Sequence, residues 1–597
     1  MDQPRSDYPR PQFVRPDWLC LNGTWQFEID YGDSGLQRGL RERELDGTIT
    51  VPFCPESALS GVGHVDFMDA VWYRKAVQLP AAWAGREVLL HFGAVDYDAT
   101  VWVNDKEVGR HRGGFTPFTC KVAGAVVAGE TAVIVVRARD AMREAKARGK
   151  QSESYDNHGC VYTRTTGIWQ TVWLEPVPAS RFKRPRITPD VPGRRFRLEL
   201  PLAGPRAGFT VRAVLSDAVG EIGRAEVAAD QAFTPELDLA IPDDRLKLWE
   251  PGDPHLYDIA LELVGADGRL VDAASTYAGM RSIVIDGMAV RLNGEIVFQR
   301  LVLDQGYYAD GIMTAPSDEA LRRDIELAMA AGFNGARLHQ KVFEERFLYH
   351  ADRMGYLVWG EFGDWGVFPW GKGPWGEGAT MRSAGGHDPV VSMLTQWTEV
   401  LQRDYSHPCI IGWCPLNETW MATGDHTDTM DDITRGMFQA TKNADRTRPV
   451  LDVSGYSHRV AESDVWDSHD YGQDVDTFRQ RQGGLAEGQP FVGHPELCVP
   501  YQGQPYFCSE FGGIRWTDEP EGWGYGEAPE TLEDFYARFE GLCGVLLDDP
   551  NMFGYCYTQL TDVFQEQNGL YRFDRSAKFD MDRIRAAQVR PAAIERA

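Results

Sequence analysis

The chain changes rhythm twice. Over residues 1–180, short alternating or β-branched runs recur between turn signals: GTWQFEI (23–29), VWYRKAVQL (71–79), REVLLHF (86–92), ATVWVND (99–105), TAVIVVRARD (131–140) and IWQTVWLEPV (168–177). Strands at this spacing predict a β-sandwich, and VNDKEV predicts a tight turn joining two of them. Residues 181–284 carry a second set: RFRLELPL (195–202), FTVRAVLSD (209–217), ELDLAI (236–241) and YDIALELVG (257–265). A segment of this length with these turns fits an immunoglobulin-like sandwich.

From 285 to 597 the order becomes strand, helix, strand, helix. Eight strands are predicted: 296–304, 334–340, 356–362, 409–418, 449–455, 465–471, 506–512 and 552–562. Leu321, Ile325 and Ala328 recur at helical spacing behind a Ser317 N-cap; Phe347, Ala351 and Met354 do so before a Gly355 C-cap. Met393, Trp397, Val400 and Leu401 mark a third helix, and Phe535, Phe539, Leu542 and Leu546 a last one. Eight such units predict a (β/α)8 TIM barrel. The Gly/Gln/Pro-rich stretch 472–505 reads as an active-site loop. The fold class is thus multidomain β plus α/β.

Composition narrows the function. The chain is 43% hydrophobic and 25% charged, an ordinary globular balance. With 61 basic and 88 acidic residues the net charge is −27, which argues against nucleic acid and anionic membranes as partners. There is no apolar run of about 18 residues, so no membrane span is expected. The opening MDQPRSDYPRPQ lacks an apolar export segment, which points to the cytoplasm. The ten cysteines show no CxxC or zinc spacing and read as free thiols. The basic run MREAKARGK (142–150) reads as a solvated loop or short helix.

In a barrel, polar residues at the C-terminal strand ends face the active site. Here those ends carry Asp304, Glu361, Glu418, Glu510 and Asp562. Glu418 and Glu510 follow apolar runs, where an unpaired carboxylate is costly. Two such carboxylates across a pocket can divide the acid and nucleophile roles at a glycosidic bond. Asp304 is a candidate for sugar hydroxyls or for capping a turn. Trp365, Trp370 and Trp375 could wall the pocket, and Tyr557 and Gln559 could floor it. His387–Asp388 and Asp425–His426 lack metal-site spacing, so no catalytic metal and no cofactor is expected, and a structural cation stays open.

WCPLNETW (413–420) resembles the strand-4 Asn-Glu acid/base motif of glycoside hydrolases built on (β/α)8 barrels, and FCSEFGG (507–513) resembles their strand-7 nucleophile motif. LNGTWQFEID (21–30), ATVWVNDKEVG (99–109) and YTRTTGIWQTVWLEPV (162–177) resemble the jelly roll of glycoside hydrolase family 2, which holds β-galactosidases, β-glucuronidases and β-mannosidases. The resemblance covers the chain in the family's order: jelly roll (1–180), immunoglobulin-like sandwich (181–284), catalytic barrel (285–597). It implies a retaining double displacement with Glu510 as nucleophile and Glu418 as acid/base. It further implies that Asn417 binds the sugar 2-hydroxyl, Arg337 steers the nucleophile, Tyr471 bonds to it, and His339 and His469 contact substrate. The family has Arg-x-x-His on strand 2, whereas this chain has Arg-x-His.

Family glucuronidases grip the uronate with Asn-x-Lys after strand 8. The segment here, FQEQNGLYRFDR (564–575), has no lysine before Gly569. Lys341 and Arg572 are the alternative cations for a uronate. The leading expectation is an exo-acting glycosidase for a small-molecule or oligosaccharide β-galactoside or related neutral glycoside. A β-uronide, a mannoside or arabinoside, endo action, and a binding protein without turnover stay open. Homo-oligomers are compatible with the acidic surface.

Overall fold

In the computed structural model, which describes residues 3–122, 124–141, 144–367, 388–420, 423–517 and 519–596, the first unit is a sandwich of antiparallel sheets. One sheet orders Leu19–Cys20, Val172–Val177, Glu87–Phe92 and Phe118–Lys121. The other orders Gly47–Val51, Gly23–Asp30, Ala70–Gln78, Thr131–Arg139, Asp98–Val103 and Lys106–Arg112. Alternation turns Trp25, Tyr73, Val101 and Val136 of the larger sheet toward Leu90, Phe92 and Leu174 of the smaller. The predicted VNDKEV turn forms with Asn104 and Asp105 both at positive φ (47° and 61°), as a two-residue hairpin requires.

A second sandwich packs a three-stranded sheet (Arg186–Asp190, Arg195–Glu199, Glu236–Ala240) on a four-stranded one (Gly220–Ala228, Thr210–Asp217, Tyr257–Val264, Leu270–Ala278). Phe196, Leu198, Val211, Leu215, Ile259 and Leu263 fill its core, which Phe13 joins from the start of the chain.

The third unit is the barrel. Seven strands form one parallel sheet in the order 4-3-2-1-8-7-6: Ile410–Cys414, Leu357–Glu361, Gly335–Leu338, Gln299–Asp304, Met552–Thr558, Tyr506–Gly512 and Trp466–Asp470. The predicted fifth strand, 449–455, is not a regular strand. It joins strand 4 through two isolated bridges, Trp413–Val450 and Asn417–Ser454. Side chains take up its neighbourhood's backbone donors: Asp452 accepts from the Arg459 and Val460 N–H groups at 2.8 and 2.9 Å, and Asp467 from the Gly455 N–H at 3.0 Å.

The four predicted helices form as Asp318–Ala330, Glu345–Met354, Pro389–Asp404 and Leu532–Leu547, with Ser317 capping the first and Gly355 ending the second in the left-handed region. Thr429–Ala444 and Met581–Gln588 are helices that the apolar spacing did not mark. The stretch read as a loop after strand 6 begins with the helix Val475–Gln482, capped by Asp474.

The described part of the basic run, 144–150, is not the solvated segment expected. Lys146, Arg148 and Lys150 are buried, because the chain there is laced to the segment after strand 3: the Lys146, Arg148 and Gly149 N–H groups donate to Gly366, Trp365 and Gly363 carbonyls at 3.0, 2.9 and 3.2 Å. Gly149 has φ +60°, and a Cβ there would lie 2.0 Å from the Gln340 carbonyl oxygen, so only glycine fits.

The sandwiches and barrel share buried polar contacts. Arg5 binds Glu344 through two bonds of 3.0 and 2.8 Å, and Tyr277 of the second sandwich donates to Asp352 at 2.7 Å. Removing one partner of a buried pair strands the other's charge, so Glu344→Ala is expected to destabilise the chain by about 3–5 kcal/mol, and Arg5→Met/Glu344→Leu by less. Chemical denaturation of the three chains checks this; a double variant no better than the single would contradict it.

Candidate active site

Strands 2, 3, 4 and 7 aim their C-terminal ends at one point. Arg337, on strand 2, is fully buried. Its guanidinium donates to Glu361 of strand 3, to the Asn417 side-chain oxygen at 3.2 Å, and to Glu510 of strand 7. The other Glu510 oxygen accepts the Tyr471 hydroxyl bond. Tyr471 is held flat against Tyr525, with ring centroids 3.4 Å apart.

Glu418 follows strand 4 with φ +50°, an uncommon backbone conformation for a non-glycine residue, and its N–H donates to the Ser454 carbonyl at 2.9 Å. His469 stands between the two glutamates, with Nδ1 2.6 Å from Glu418 and 3.4 Å from Glu510. Ligating atoms of Glu418, His469 and Glu510 all lie within 4.8 Å of one another. The far His469 nitrogen sits 2.9 Å from the Ser454 hydroxyl, which also lies 2.9 Å from Asp467. Burial pushes Asp467 up, but His458 and His469 hold it below the usual range. The one Ser454 hydrogen then goes to Asp467, so His469 Nε2 donates to Ser454 while Nδ1 faces carboxylates. That arrangement holds one proton between His469 Nδ1 and Glu418, whose atoms lie 2.6 Å apart.

The charges agree. Burial pulls His469 down, but Glu510 and Glu418 raise it above its ordinary value. Burial pushes Glu510 up, yet His469, Arg337 and the Tyr471 bond outweigh it and hold the carboxyl at about 2. Burial, Lys150 and Arg337 push His339 well below its usual value, so it is neutral; its Nδ1 lies 3.0 Å from Glu361. Asn417 is oriented by its backbone N–H, which donates to Asp364 at 3.2 Å, and its side-chain nitrogen has no partner among the described residues. Trp365 closes over it, donating to the Asn417 carbonyl at 3.1 Å.

Glu418, Glu510, Asn417, Arg337, His339, His469, Tyr471 and Trp365 are therefore brought together. The other candidates have other partners. Asp304 accepts from the Gly306 N–H at 2.9 Å, the turn-capping role. Lys341 donates to the Gly306 and Met313 carbonyls, and its ammonium faces the Trp169 and Phe343 rings. Asp562 pairs with Lys578 at 2.8 Å. Arg572 lines a separate cleft with Asp562 and Trp516. Tyr557 packs against Phe511 and Phe539. Gln559 joins a polar network, accepting from Gln305 at 2.6 Å and donating to Asn568 at 2.7 Å. Trp370, Trp375 and His387 lie outside the described residues; Asp425 and His426 form an exposed pair.

Sequence reasoning missed Lys150, Tyr162, Tyr456, Tyr525 and Glu566. Tyr162, from the first sandwich, donates to Glu566 and accepts from Gln305 at 2.7 Å. Tyr456 packs on His469, with ring centroids 5.3 Å apart. Only the match of YTRTTG to a jelly-roll motif hinted that this stretch matters.

Known proteins share this plan. Three family models match in order: "Glycosyl hydrolases family 2, sugar binding domain" over 63–175, "Glycosyl hydrolases family 2" over 180–281, and "Glycosyl hydrolases family 2, TIM barrel domain" over 314–479. A protein named beta-glucuronidase from Paenibacillus borealis is 24% identical over 454 residues, 72% of each chain. A beta-galactosidase from Thermoanaerobacter pseudethanolicus is 25% identical over 416 residues, 68% of this chain and 51% of that one. A solved b-glucuronidase from Ruminococcus gnavus, in complex with D-glucuronic acid, superposes with a TM-score of 0.75 at 18% identity, covering 98% of this chain and all of that one. With a jelly roll, an immunoglobulin-like sandwich and a TIM barrel in sequence, and these matches across all three, the chain belongs to glycoside hydrolase family 2 and is a glycosidase.

Proposed function

We propose that the chain is a retaining, exo-acting β-glycosidase in which Glu510 is the nucleophile and Glu418 the acid/base. The observation that carries this is the closeness of the two carboxylates around His469, all within 4.8 Å. A retaining mechanism needs carboxyls about 5–5.5 Å apart, whereas an inverting one leaves room for a water between them. Glu510 is held ionised and would attack the anomeric carbon, forming the glycosyl ester as the glycosidic bond breaks. The leaving oxygen takes the proton from Glu418. Water then attacks the anomeric carbon, gives its proton to Glu418 and breaks the bond to Glu510, freeing its carboxylate. The unpartnered Asn417 nitrogen suits the sugar 2-hydroxyl. Trp365 over Asn417 and Tyr525 behind Tyr471 wall the pair, which favours a pocket for a terminal sugar over an open cleft.

A neutral β-hexoside, galactoside first, is the preferred substrate. Lys341 is bound to carbonyls, Arg572 faces another cleft, and the segment after strand 8 presents Glu566 and Asn568 rather than a lysine. The second reading is a β-uronide, favoured by relatives named beta-glucuronidase.

Hydrolysis of an aryl β-glycoside panel, with the product anomer followed by NMR, tests the reading. The first-formed sugar should keep the β configuration; inversion would refute the mechanism. Glu510→Gln should lower kcat by about 10⁴- to 10⁶-fold. Glu418→Gln should lower kcat by about 10²- to 10⁴-fold on alkyl glycosides. The loss should be much smaller on dinitrophenyl glycosides, whose leaving group needs no proton.

The pH behaviour follows from His469. Glu510 at about 2, against an ordinary 4.5, stabilises the folded chain above pH 4.5, and that share is lost as pH falls toward 2. His469→Asn removes the strongest of the influences holding the carboxyl down, so burial gains the upper hand. The acid limb of kcat/KM should then move up by about one pH unit or more, and an unmoved limb would sink the assignment.

A further inference from the structure

Of the described basic residues of this run, Lys150 is the one whose charged end holds no hydrogen-bond or ion-pair partner. Lys146 binds Asp140 and the Ala141 carbonyl, and Arg148 binds the Glu144 carbonyl. Lys150 is 5% exposed. Among the described residues its ammonium makes no hydrogen bond or ion pair. It lies 5.3 Å from the centre of the Trp365 ring and 6.0 Å from that of Tyr162. Ring faces steady a cation but do not take its hydrogens.

Two needs of such a group separate here. Its charge is already answered. Burial pulls the ammonium's pKa down, but Cys160, Glu566, Glu510 and Glu418 act from a distance and leave it above the ordinary lysine value. Its three N–H donors meet no protein acceptor among the described residues, so acceptors from a bound molecule can still be taken up there. A guest that completes this site must therefore bring acceptors rather than another negative charge. A further carboxylate would come into the field of Glu566, Glu510 and Glu418, the acids that already act on this ammonium. Hydroxyl oxygens satisfy the donors without that penalty. Glu566, fixed by Tyr162 and by Asn568 at 3.1 Å, offers acceptor oxygens of its own to the hydroxyl hydrogens.

We propose that Lys150, carried by the jelly roll, is a glycon-binding residue that donates hydrogen bonds to hydroxyl oxygens of a neutral terminal sugar whose anomeric carbon lies between Glu418 and Glu510. The proposal rests on the glycosidase reading above and names the substrate class of that site.

The test uses the full chain and the neutral 4-nitrophenyl β-glycoside it cleaves best, with the 3-, 4- and 6-deoxy analogues of that sugar. Lys150→Met should lower kcat/KM on the parent sugar by about 10- to 100-fold. One deoxy analogue should lose a similar factor with the wild type and no more than about twofold further with Lys150→Met. A uniform loss across the analogues would make Lys150 merely structural, and no loss would also overturn the proposal. Wild-type activity confined to uronides would overturn it together with the neutral reading. If Lys150→Met does not fold, Lys150→Gln enters the same cycle. If the wild type cleaves no glycoside, the retaining reading fails by itself, and calorimetric binding of D-galactose decides the rest. Weaker binding by Lys150→Met would sustain the proposal; equal binding, or none by either chain, would overturn it.

Discussion

A wholly buried guanidinium, that of Arg337, bonds to Glu361, Asn417 and Glu510, and the rest of the site is arranged around it. A charge so far from water needs partners on every side. Here the partners come from strands 3, 4 and 7, so the electrostatic requirement of one side chain fixes the relative placement of three strand ends. The same bonds settle the state of Glu510. A carboxyl in this setting would be neutral by burial alone; the cations at its flanks reverse that. His469 links this half of the site to the other, since its Nδ1 faces both glutamates and its remaining nitrogen is committed to Ser454.

The barrel does not make the pocket alone. The first sandwich sends residues 144–167 across the barrel mouth, with Gly149 against the Gln340 carbonyl and Tyr162 inside a network of Gln305, Gln559, Asn568 and Glu566. The described walls are thus of mixed origin: anchored acids from strand ends, and an ammonium and a phenol from a sandwich loop.

Much of this was legible in the sequence, for local reasons. Strand ends and helix faces announce themselves through periodicity, and Ser317 and Gly355 through the backbone groups they satisfy. Glu418 and Glu510 stood out because a carboxylate after an apolar run demands an explanation. The parts that were not legible depend on contacts distant in sequence. Segment 449–455 reads as a strand, but the side chains of Asp464, Ser463 and Asp467 take the Val450, Asp452 and Gly455 N–H groups that a ladder would use. The helix Thr429–Ala444 hides its inner face because Thr434 and Thr441 stand at buried positions. Asp304 and Asp562 share the strand-end pattern of the two glutamates, yet a turn N–H and Lys578 claim them. The basic run looked solvated because charge is a local property and burial is not; the segment 363–366 that covers it lies more than 200 positions away.

The lacing at Gly149 bears on how such a chain can change over time. A residue that must be glycine in one unit, because of a carbonyl in another, ties the two to a single history. Neither can be exchanged for a counterpart from elsewhere without re-cutting the seam. The jelly roll is here no detachable module tethered to a self-sufficient barrel, and insertion or shuffling at that boundary would produce a barrel with an unfinished mouth. Variation in what the pocket accepts is open to mutation in the sandwich loop as much as in the barrel itself.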